Sequence, residues 1–167
     1  MLYSATYSSP LGNITAAGND DGIVGLWFDG QKYFMRTITE KLTPKEDLTI
    51  FLQTKKWLDR YFAGEKPSPK ELPLAPAGTP FQQNVWRHLC MIPYGETTTY
   101  GEIAKKVAKD MKKNSMSAQA VGGAVSRNPI SIVIPCHRVI GSDGSLTGYA
   151  GGLDKKIALL ALEGVNI

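Results

Sequence analysis

The 167-residue sequence predicts an α+β fold made of two domains, and three observations support this. Three short apolar segments are separated by turn-forming residues, as in an antiparallel meander: residues 2–8, 13–18 and 22–28. A single helical segment follows, and then residues 65–78, whose four prolines predict an extended linker. Beyond the linker, apolar residues recur mostly at helical spacing. We therefore expect an N-terminal domain over residues 1–78 and a mostly helical C-terminal domain over residues 79–167.

The composition is that of an ordinary globular protein, with 43% hydrophobic and 20% charged residues. The N-terminus lacks the features of a signal peptide and no window approaches a membrane span, so we expect a cytoplasmic protein with no membrane contact. Two cysteines, Cys90 and Cys136, and two histidines form neither a disulfide framework nor the spacing of a zinc site.

The net charge of +4 is carried entirely by the second half of the chain. Between Tyr100 and Arg138 there are seven lysines and arginines against two acidic residues. Such a run is often only a solvated face, but its concentration in one domain also suits a polyanionic partner.

In the first domain, the apolar spacing predicts a helix from about Pro44 to Phe62, with Gly64 as its stop. A helix laid on a small sheet forms a plausible α+β module. The segment contains no histidine or cysteine, so we expect this domain to have a supporting role.

In the second domain, Thr79-Pro80-Phe81-Gln82 and Thr99-Tyr100-Gly101-Glu102 each have the pattern of a helix start with a capping box. Cys90 falls at the end of the first of these helices and is expected to be a core residue. A third helix is expected from about Ser117 to Ser126, which makes a helix-turn-helix with the second.

This third helix consists almost entirely of small residues and has glycines at positions 122 and 123. Each glycine costs a helix about 1 kcal/mol relative to alanine. Small residues permit a close approach, either by another helix or by a nucleic-acid groove, and both interpretations stay open at this point.

Residues 130–134 are apolar except for Ser131 and run into Pro135, which predicts a buried strand that delivers Cys136 at its end. A thiol becomes nucleophilic as a thiolate, and His137 is a suitable neighbour to promote this. The alternative is a small buried cysteine with no chemistry. The last helix is expected to begin at Asp154 and to bury Leu153, Ile157, Leu160 and Ala161. Glu163 lies in its last turn, where the helix dipole disfavours a carboxylate.

Three motifs occur in order around this cysteine: Asn128-Pro129, then Pro135-Cys136-His137-Arg138-Val139, then Gly148-Tyr149-Ala150-Gly151-Gly152. In these motifs the chain resembles the O6-alkylguanine-DNA alkyltransferase family, the methylated-DNA–protein-cysteine methyltransferases. The resemblance covers residues 79–164 specifically and the first 78 residues loosely, as that family's ribonuclease-H-like N-terminal domain. It implies a DNA repair enzyme that moves an alkyl group from O6-alkylguanine, and from O4-alkylthymine, irreversibly to its own cysteine in a single turnover.

The resemblance also implies roles for individual residues. Cys136 is the acceptor, His137 is its base through a bridging water, and Glu163 orients the imidazole. Asn128 braces the turn at the cysteine, while Tyr100 lies over the guanine and donates a proton toward N3. No cofactor is implied, because the protein itself is the acceptor. No metal is expected, because the zinc ligands of some relatives have no counterpart in this sequence.

The same resemblance implies how the damaged base and the duplex are held. The carbonyls of Cys136 and Val139 recognise the exocyclic amine, the Ala150 N–H meets O6, and Tyr149 walls the pocket. The helix over 118–126 enters the minor groove of double-stranded DNA and the damaged nucleotide is flipped out. The implied DNA contacts are Gln119, Ala120, Gly122, Gly123, Arg127 and Arg138. We expect a monomer.

The chain departs from the family pattern in two places. Gln119 stands where many relatives have an arginine that fills the gap left by the flipped nucleotide. The loop Lys109 to Ser115 is longer than in many relatives, and its lysines can contact phosphates. Two other functions remain as alternatives: an alkyltransferase-like module that binds lesions without repairing them, and a Cys–His hydrolase unrelated to DNA.

Overall fold

The computed structural model describes residues 1–166, which divide into two compact units. The N-terminal unit contains Met1–Ala77 and Pro129–Val133, and the C-terminal unit contains Gly78–Asn128 and the chain from Ile134 onward. Every residue assigned to chemistry from the sequence lies in the C-terminal unit. Within residues 1–166, no helix combines the length and the apolar character needed to cross a membrane.

The N-terminal unit is built on a four-stranded sheet with the order β3-β2-β1-β4. The predicted antiparallel meander is confirmed as β1 (Leu2–Ser9), β2 (Gly12–Asn19) and β3 (Gly22–Phe28). A fourth strand, β4 (Leu42–Pro44), pairs parallel with β1 and was not predicted. Three residues that end in proline carry too little alternation to indicate a strand.

Helix α1 (Thr49–Phe62) packs on β1 and β2 and buries Phe51, Leu58 and Tyr61. The predicted start near Pro44 is wrong by five residues. The Lys45 N–H donates to the Ser4 carbonyl at 2.9 Å, so this part of the chain still belongs to the sheet.

The segment over residues 65–78 is more ordered than the predicted extended linker. It contains a capped 3₁₀ turn, Pro69–Glu71, and its Leu72 side chain is buried. The Ile23 N–H donates to the Pro73 carbonyl at 2.9 Å, and the Ala75 N–H donates to the Ile23 carbonyl at 2.7 Å. These bonds hold the segment against β3.

The predicted buried strand over residues 130–134 is confirmed as buried but not as a strand. Only Ile130 forms a bridge, to Leu26, through hydrogen bonds on either side of it. Ile132 then adopts a φ of +70°, a left-handed conformation that breaks the pleat of a strand.

The C-terminal unit contains helices α2 (Pro80–Leu89), α3 (Tyr100–Asp110) and α4 (Ala118–Ser126), which begin at the predicted caps. The side-chain oxygens of Thr79, Thr99 and Ser117 each accept a backbone N–H of the following turn. Helices α3 and α4 form the predicted helix-turn-helix. The Trp86 indole of α2 donates to the Ala124 carbonyl of α4 at 2.9 Å. This bond holds the buried face of α4 against α2.

Two short strands, β5 (Thr98–Thr99) and β6 (Val139–Ile140), pair parallel just ahead of α3 and just after Arg138. This pairing brings the first residue of α3 close to the segment that contains Cys136.

The last helix, α5 (Leu153–Leu162), buries a different face from the one predicted. It buries Lys156, Leu159 and Leu160, of which only Leu160 was predicted. The other predicted core residues are exposed: Leu153 at 45%, Ile157 at 41%, and Ala161.

Candidate active site

Cys136 is presented by a sharp reversal of the chain and not by the end of a strand. Pro135 has φ −81° and ψ 65°, and the Cys136 N–H donates to the Ile134 carbonyl at 2.8 Å, which is an inverse γ-turn. A 3₁₀ turn, Cys136–Arg138, follows at once. Cys136 is only 6% exposed, so its thiol is held within the C-terminal unit.

Burial raises the pKa of the Cys136 thiol, and the resting residue is therefore a neutral thiol. A hydrogen bond from the Asn128 side chain and the positive charge of Lys156 act in the opposite direction. The Asn128 amide also donates to the Ile134 carbonyl at 2.8 Å, so a single side chain contacts both ends of the γ-turn. The thiol still needs a base to become a thiolate.

His137 is completely buried, and its Nε2 lies 2.6 Å from Oε2 of Glu163. A carboxylate only accepts hydrogen bonds, so Nε2 carries the proton and Nδ1 carries the lone pair of the neutral ring. Burial lowers the pKa of His137 against the opposing effect of Glu163. The imidazole is thus unprotonated at neutral pH and able to accept a proton.

Glu163 is held by four hydrogen bonds inside the unit. Its Oε2 accepts from His137 and from Nη2 of Arg138 at 3.1 Å, and its Oε1 accepts from Nε of Arg138 at 2.7 Å and from the Gly95 N–H at 3.1 Å. Burial opposes ionisation, but His137 and Arg138 outweigh it and lower the pKa of Glu163 to about 2. This pairing offsets the unfavourable position of the carboxylate at the end of α5.

The lowered pKa of Glu163 predicts that this carboxylate makes the fold sensitive to acid. An unfolded chain takes up the proton near the ordinary glutamate pKa of 4.5, whereas the folded protein takes it up near pH 2. We therefore expect Glu163 to contribute about 3 kcal/mol to the free energy of unfolding above pH 4.5, which is lost as pH falls toward 2. Denaturant unfolding between pH 6 and pH 2.5 measures this loss.

The variant Glu163→Gln should show a shallower loss over that range, and Glu96→Gln, which removes an exposed carboxylate of the same unit, should retain the full loss. Identical acid dependence in wild type and Glu163→Gln would contradict the assignment.

Arg138 is not available to DNA, and the expectation that it is a DNA contact is wrong. The residue is 5% exposed, and its guanidinium is turned inward onto Glu163 and onto the Ile92 carbonyl, to which Nη1 donates at 2.6 Å. It also lies over the Tyr94 ring. A side chain with these partners braces the carboxylate and directs Nε, Nη1 and Nη2 each to an acceptor inside the unit.

Tyr100 is the first residue of α3, and its hydroxyl lies 2.8 Å from Oγ1 of Thr147. Burial raises the pKa of Tyr100, so the phenol remains protonated and can donate a hydrogen bond. This contact links α3 to the loop over residues 147–152, which contains Tyr149 and Ala150. The Tyr149 ring meets the His137 ring edge-on, at a centroid distance of 6.4 Å.

Lys156 is a site residue that sequence reasoning missed. It is fully buried, and its Nζ donates to the carbonyls of Val139 at 2.7 Å and Thr147 at 3.0 Å. A signal was present in the sequence, because residues 156, 159, 160 and 163 share one face of a helix and that face includes Glu163. Lys156 joins the turn after Cys136 to the loop that contains Tyr149.

The exposed face of α4 is made of small side chains, with Gln119 and Ala120 exposed and Gly122 and Gly123 partly exposed. A Cβ atom at Gly122 or Gly123 would lie 3.8 Å and 3.6 Å from the nearest atoms, which is ordinary van der Waals contact. Packing within the unit therefore does not require these glycines, and the helix-packing interpretation loses its support. Arg127 is exposed at the end of α4, and its Nη1 donates to the Gly123 carbonyl at 3.4 Å.

Of the residues proposed for recognition of the base, Val139 is buried, whereas Tyr149 and Ala150 are partly exposed. The Cys136 carbonyl accepts one hydrogen bond, from the Val139 N–H, and the Val139 carbonyl accepts one from Lys156. Each of these oxygens retains a second lone pair.

Burial raises the pKa of Cys90 to about 11, which leaves it an unreactive thiol. Within residues 1–166, no cluster of three His, Cys, Asp or Glu side chains could hold a metal ion.

Comparison with known proteins finds two family models along the chain. The model for the 6-O-methylguanine DNA methyltransferase, DNA binding domain, matches residues 80–165, and that for the ribonuclease-like domain of the same methyltransferase matches residues 2–76. A methylated-DNA–protein-cysteine methyltransferase of Methanosarcina acetivorans is 46% identical over 98% of this chain and 99% of that protein. The corresponding protein of Haemophilus influenzae is 41% identical over 97% of this chain and 86% of its own length.

The fold comparison agrees with the sequence comparison. The crystal structure of Mycobacterium tuberculosis OGT in complex with DNA is similar to this chain with a TM-score of 0.83 and 42% identity, over 96% of this chain and 92% of that one. The predicted α+β fold is confirmed, with a small N-terminal sheet and its helix and a mostly helical second half. From the two family models and these identities, the chain belongs to the 6-O-methylguanine DNA methyltransferase family.

Proposed function

We propose that this protein is a methylated-DNA–protein-cysteine methyltransferase that repairs O6-alkylguanine, and O4-alkylthymine, by transferring the alkyl group to Sγ of Cys136. The observation that carries the proposal is the buried Cys136 thiol immediately before the His137–Glu163 pair. The S–C bond forms as the bond from carbon to O6 breaks. The thiol proton goes to His137, and the departing guanine takes up a proton. The thioether has no evident route back, so each molecule acts once.

His137 acts in this proposal as the general base, through Nδ1 and a bridging water. The raised pKa of Cys136 makes a base necessary, and the lowered pKa of His137 keeps the imidazole ready to accept. Glu163 then stabilises the imidazolium that forms, in the manner of a catalytic triad. Asn128 holds the γ-turn so that Sγ keeps its direction during the displacement.

The pocket for the base is formed by Tyr100, Tyr149, Ala150 and the carbonyls of Cys136 and Val139. Tyr100 stays protonated and donates toward N3 of the guanine as it leaves. The Ala150 N–H meets O6, and the two carbonyls meet the exocyclic amine. Lys156 supports the pocket by fixing the Val139 and Thr147 carbonyls.

Double-stranded DNA is the partner in this proposal, with α4 in the minor groove and the damaged nucleotide flipped into the pocket. The solved relative from Mycobacterium tuberculosis, which was crystallised with DNA, supports DNA binding. The exposed residues Gln119 and Ala120, with Gly122 and Gly123, permit the close approach, and Arg127 contacts the backbone at the end of α4. Residues 79–167 perform the chemistry and residues 1–78 support them, in a monomeric cytoplasmic protein.

The test is the intact mass of the protein after mixing with a duplex that contains O6-methylguanine. Replacing the thiol hydrogen by a methyl group adds about 14 Da, and the change should map to Cys136 and be absent in Cys136→Ser. Binding of the lesion duplex without a mass gain would indicate a lesion-binding module. Turnover of small esters with no affinity for DNA would indicate a Cys–His hydrolase. Either result would overturn the proposal.

The glycines of α4 give a prediction in which stability and binding change in opposite directions. We expect Gly122→Ala and Gly123→Ala each to raise the free energy of unfolding by about 1 kcal/mol, because alanine favours the helix. We expect DNA affinity to fall roughly tenfold, since a methyl group forced into a close interface costs about 1–3 kcal/mol. Denaturant unfolding and titration of a labelled duplex measure the two effects, and unchanged DNA affinity would exclude close groove contact.

Gln119 gives a second prediction, about base flipping. Glutamine is shorter than arginine and uncharged, so it fills the space left by a flipped nucleotide less completely. We expect Gln119→Arg to raise the single-turnover repair rate several-fold, as measured by quenched mixing with lesion duplex. A Gln119→Lys variant separates the effect of positive charge from that of side-chain shape. An unchanged repair rate in both the arginine and the lysine variant would show that Gln119 does not limit flipping.

A further inference from the structure

A groove of about 620 Å³ lies between α3 and the start of α4, within the C-terminal unit. Its lining includes the small residues Gly101, Ala104 and Ala118. Three lysines, Lys105, Lys109 and Lys113, also line it. The groove therefore combines small lining residues with three cations, next to the start of α4.

The end of α3 explains how three lysines come to line one groove. Lys105 and Lys109 are one helical turn apart, with a rise of about 6 Å between them. The helix then closes in a Schellman motif, in which the Lys113 N–H donates to the Ala108 carbonyl and the Lys112 N–H to the Lys109 carbonyl. Lys112 takes the left-handed conformation with φ +56°, which turns the chain back, and Lys113 lines the same groove as Lys105 and Lys109.

The acidic residues of α3 leave most of this charge uncompensated. Asp110 is held by α2, where its Oδ2 lies 2.6 Å from Nε2 of His88 and accepts from the Asn84 amide. Glu102 pairs with Lys105 at 3.4 Å, but both side chains are largely exposed and such a pair is weak. Among residues 1–166, no carboxylate lies within 4.0 Å of the ammonium groups of Lys109 and Lys113.

We propose that this groove binds the phosphodiester backbone of one DNA strand next to α4. The inference rests on the proposed function, because it takes DNA as the partner. Three ammonium groups among small lining residues complement a chain of phosphates, which carries the same charge whatever the base sequence. The groove therefore supplies affinity for DNA that does not depend on sequence.

The test is the salt dependence of affinity for an undamaged duplex. Each lysine that neutralises a phosphate contributes about 0.9 to the slope of log K against log salt concentration. We expect Lys109→Ala to make the slope shallower by about 0.9, and Lys109→Ala with Lys113→Ala by about 1.8. Replacing the same two lysines by arginine should restore the wild-type slope.

Lys106→Ala is the matched control, since Lys106 is exposed on the same helix but lines a separate cleft with His88 and Glu96. It should leave the slope unchanged. A wild-type slope in the Lys109/Lys113 double variant, or an equal change in Lys106→Ala, would overturn the inference.

The mass assay separates this inference from the proposed function. If wild type gains no mass while the double variant still has the shallower slope, then the proposed transfer is wrong and the phosphate groove stands. If wild type gains the methyl group and the slope does not change, then only the groove is wrong.

Discussion

Glu163→Gln is expected to slow alkyl transfer to Cys136 by about 10²–10⁴-fold, with little change in DNA affinity. The carboxylate keeps the proton of His137 on Nε2 and neutralises the imidazolium formed when the thiol gives up its proton. A glutamine amide supplies no negative charge and can present its N–H to the ring, which would favour the wrong tautomer. Single-turnover rates with a lesion duplex measure the effect.

The readout that distinguishes this role from a structural one is the pH profile. In wild type the transfer rate should fall as pH drops and His137 becomes protonated, in a range below the ordinary histidine pKa of 6.5 because burial lowers the pKa of this residue. In Glu163→Gln the rate should be low throughout. Glu96→Gln serves as the matched control with an exposed carboxylate, and a wild-type rate in folded Glu163→Gln would exclude the relay.

Arg138→Ala is expected to destabilise the protein by about 3–5 kcal/mol, the cost of leaving a buried charge without its partner. Three hydrogen bonds are lost at once, two to Glu163 and one to the Ile92 carbonyl. In a chain of this size the melting temperature should drop by roughly 10 °C. Arg127→Ala removes an exposed arginine from the same unit and should change stability by less than about 0.5 kcal/mol.

A DNA-binding role for Arg138 would give the opposite pattern, with near wild-type stability and a shallower salt dependence of DNA affinity. Arg138→Lys is informative as well. It retains the charge but cannot reproduce the paired donation to Glu163, so it should recover only part of the stability.

Elements with strong local signals were predicted well from the sequence. The meander and helices α2, α3 and α4 follow from alternation, helical spacing and caps, all of which act between close neighbours in the chain. The start of α1 and the presence of β4 depend instead on pairing with β1, about forty residues away. The segment at Ile132 was missed because its apolar composition fixes burial, whereas a left-handed φ is imposed by surrounding structure.

For the candidate site, the sequence indicated which residues to consider, but not the directions in which their side chains point. Cys136, His137 and Glu163 came from chemistry and from the family motifs; the structure places all three in one unit and joins His137 to Glu163 by a hydrogen bond. Arg138 was misassigned because the sequence does not show which way the side chains of a 3₁₀ turn point. Lys156 was missed because lysine is almost never fully buried unless it is paired.

The bond from the Trp86 indole to the Ala124 carbonyl has a practical consequence for spectroscopy. The chain has three tryptophans, and Trp27 and Trp57 lie in the N-terminal unit. With those two replaced by phenylalanine, Trp86 becomes the single tryptophan, hydrogen-bonded to the buried side of α4. Its emission would then report each displacement of α4 in real time, with no label on either the protein or the duplex.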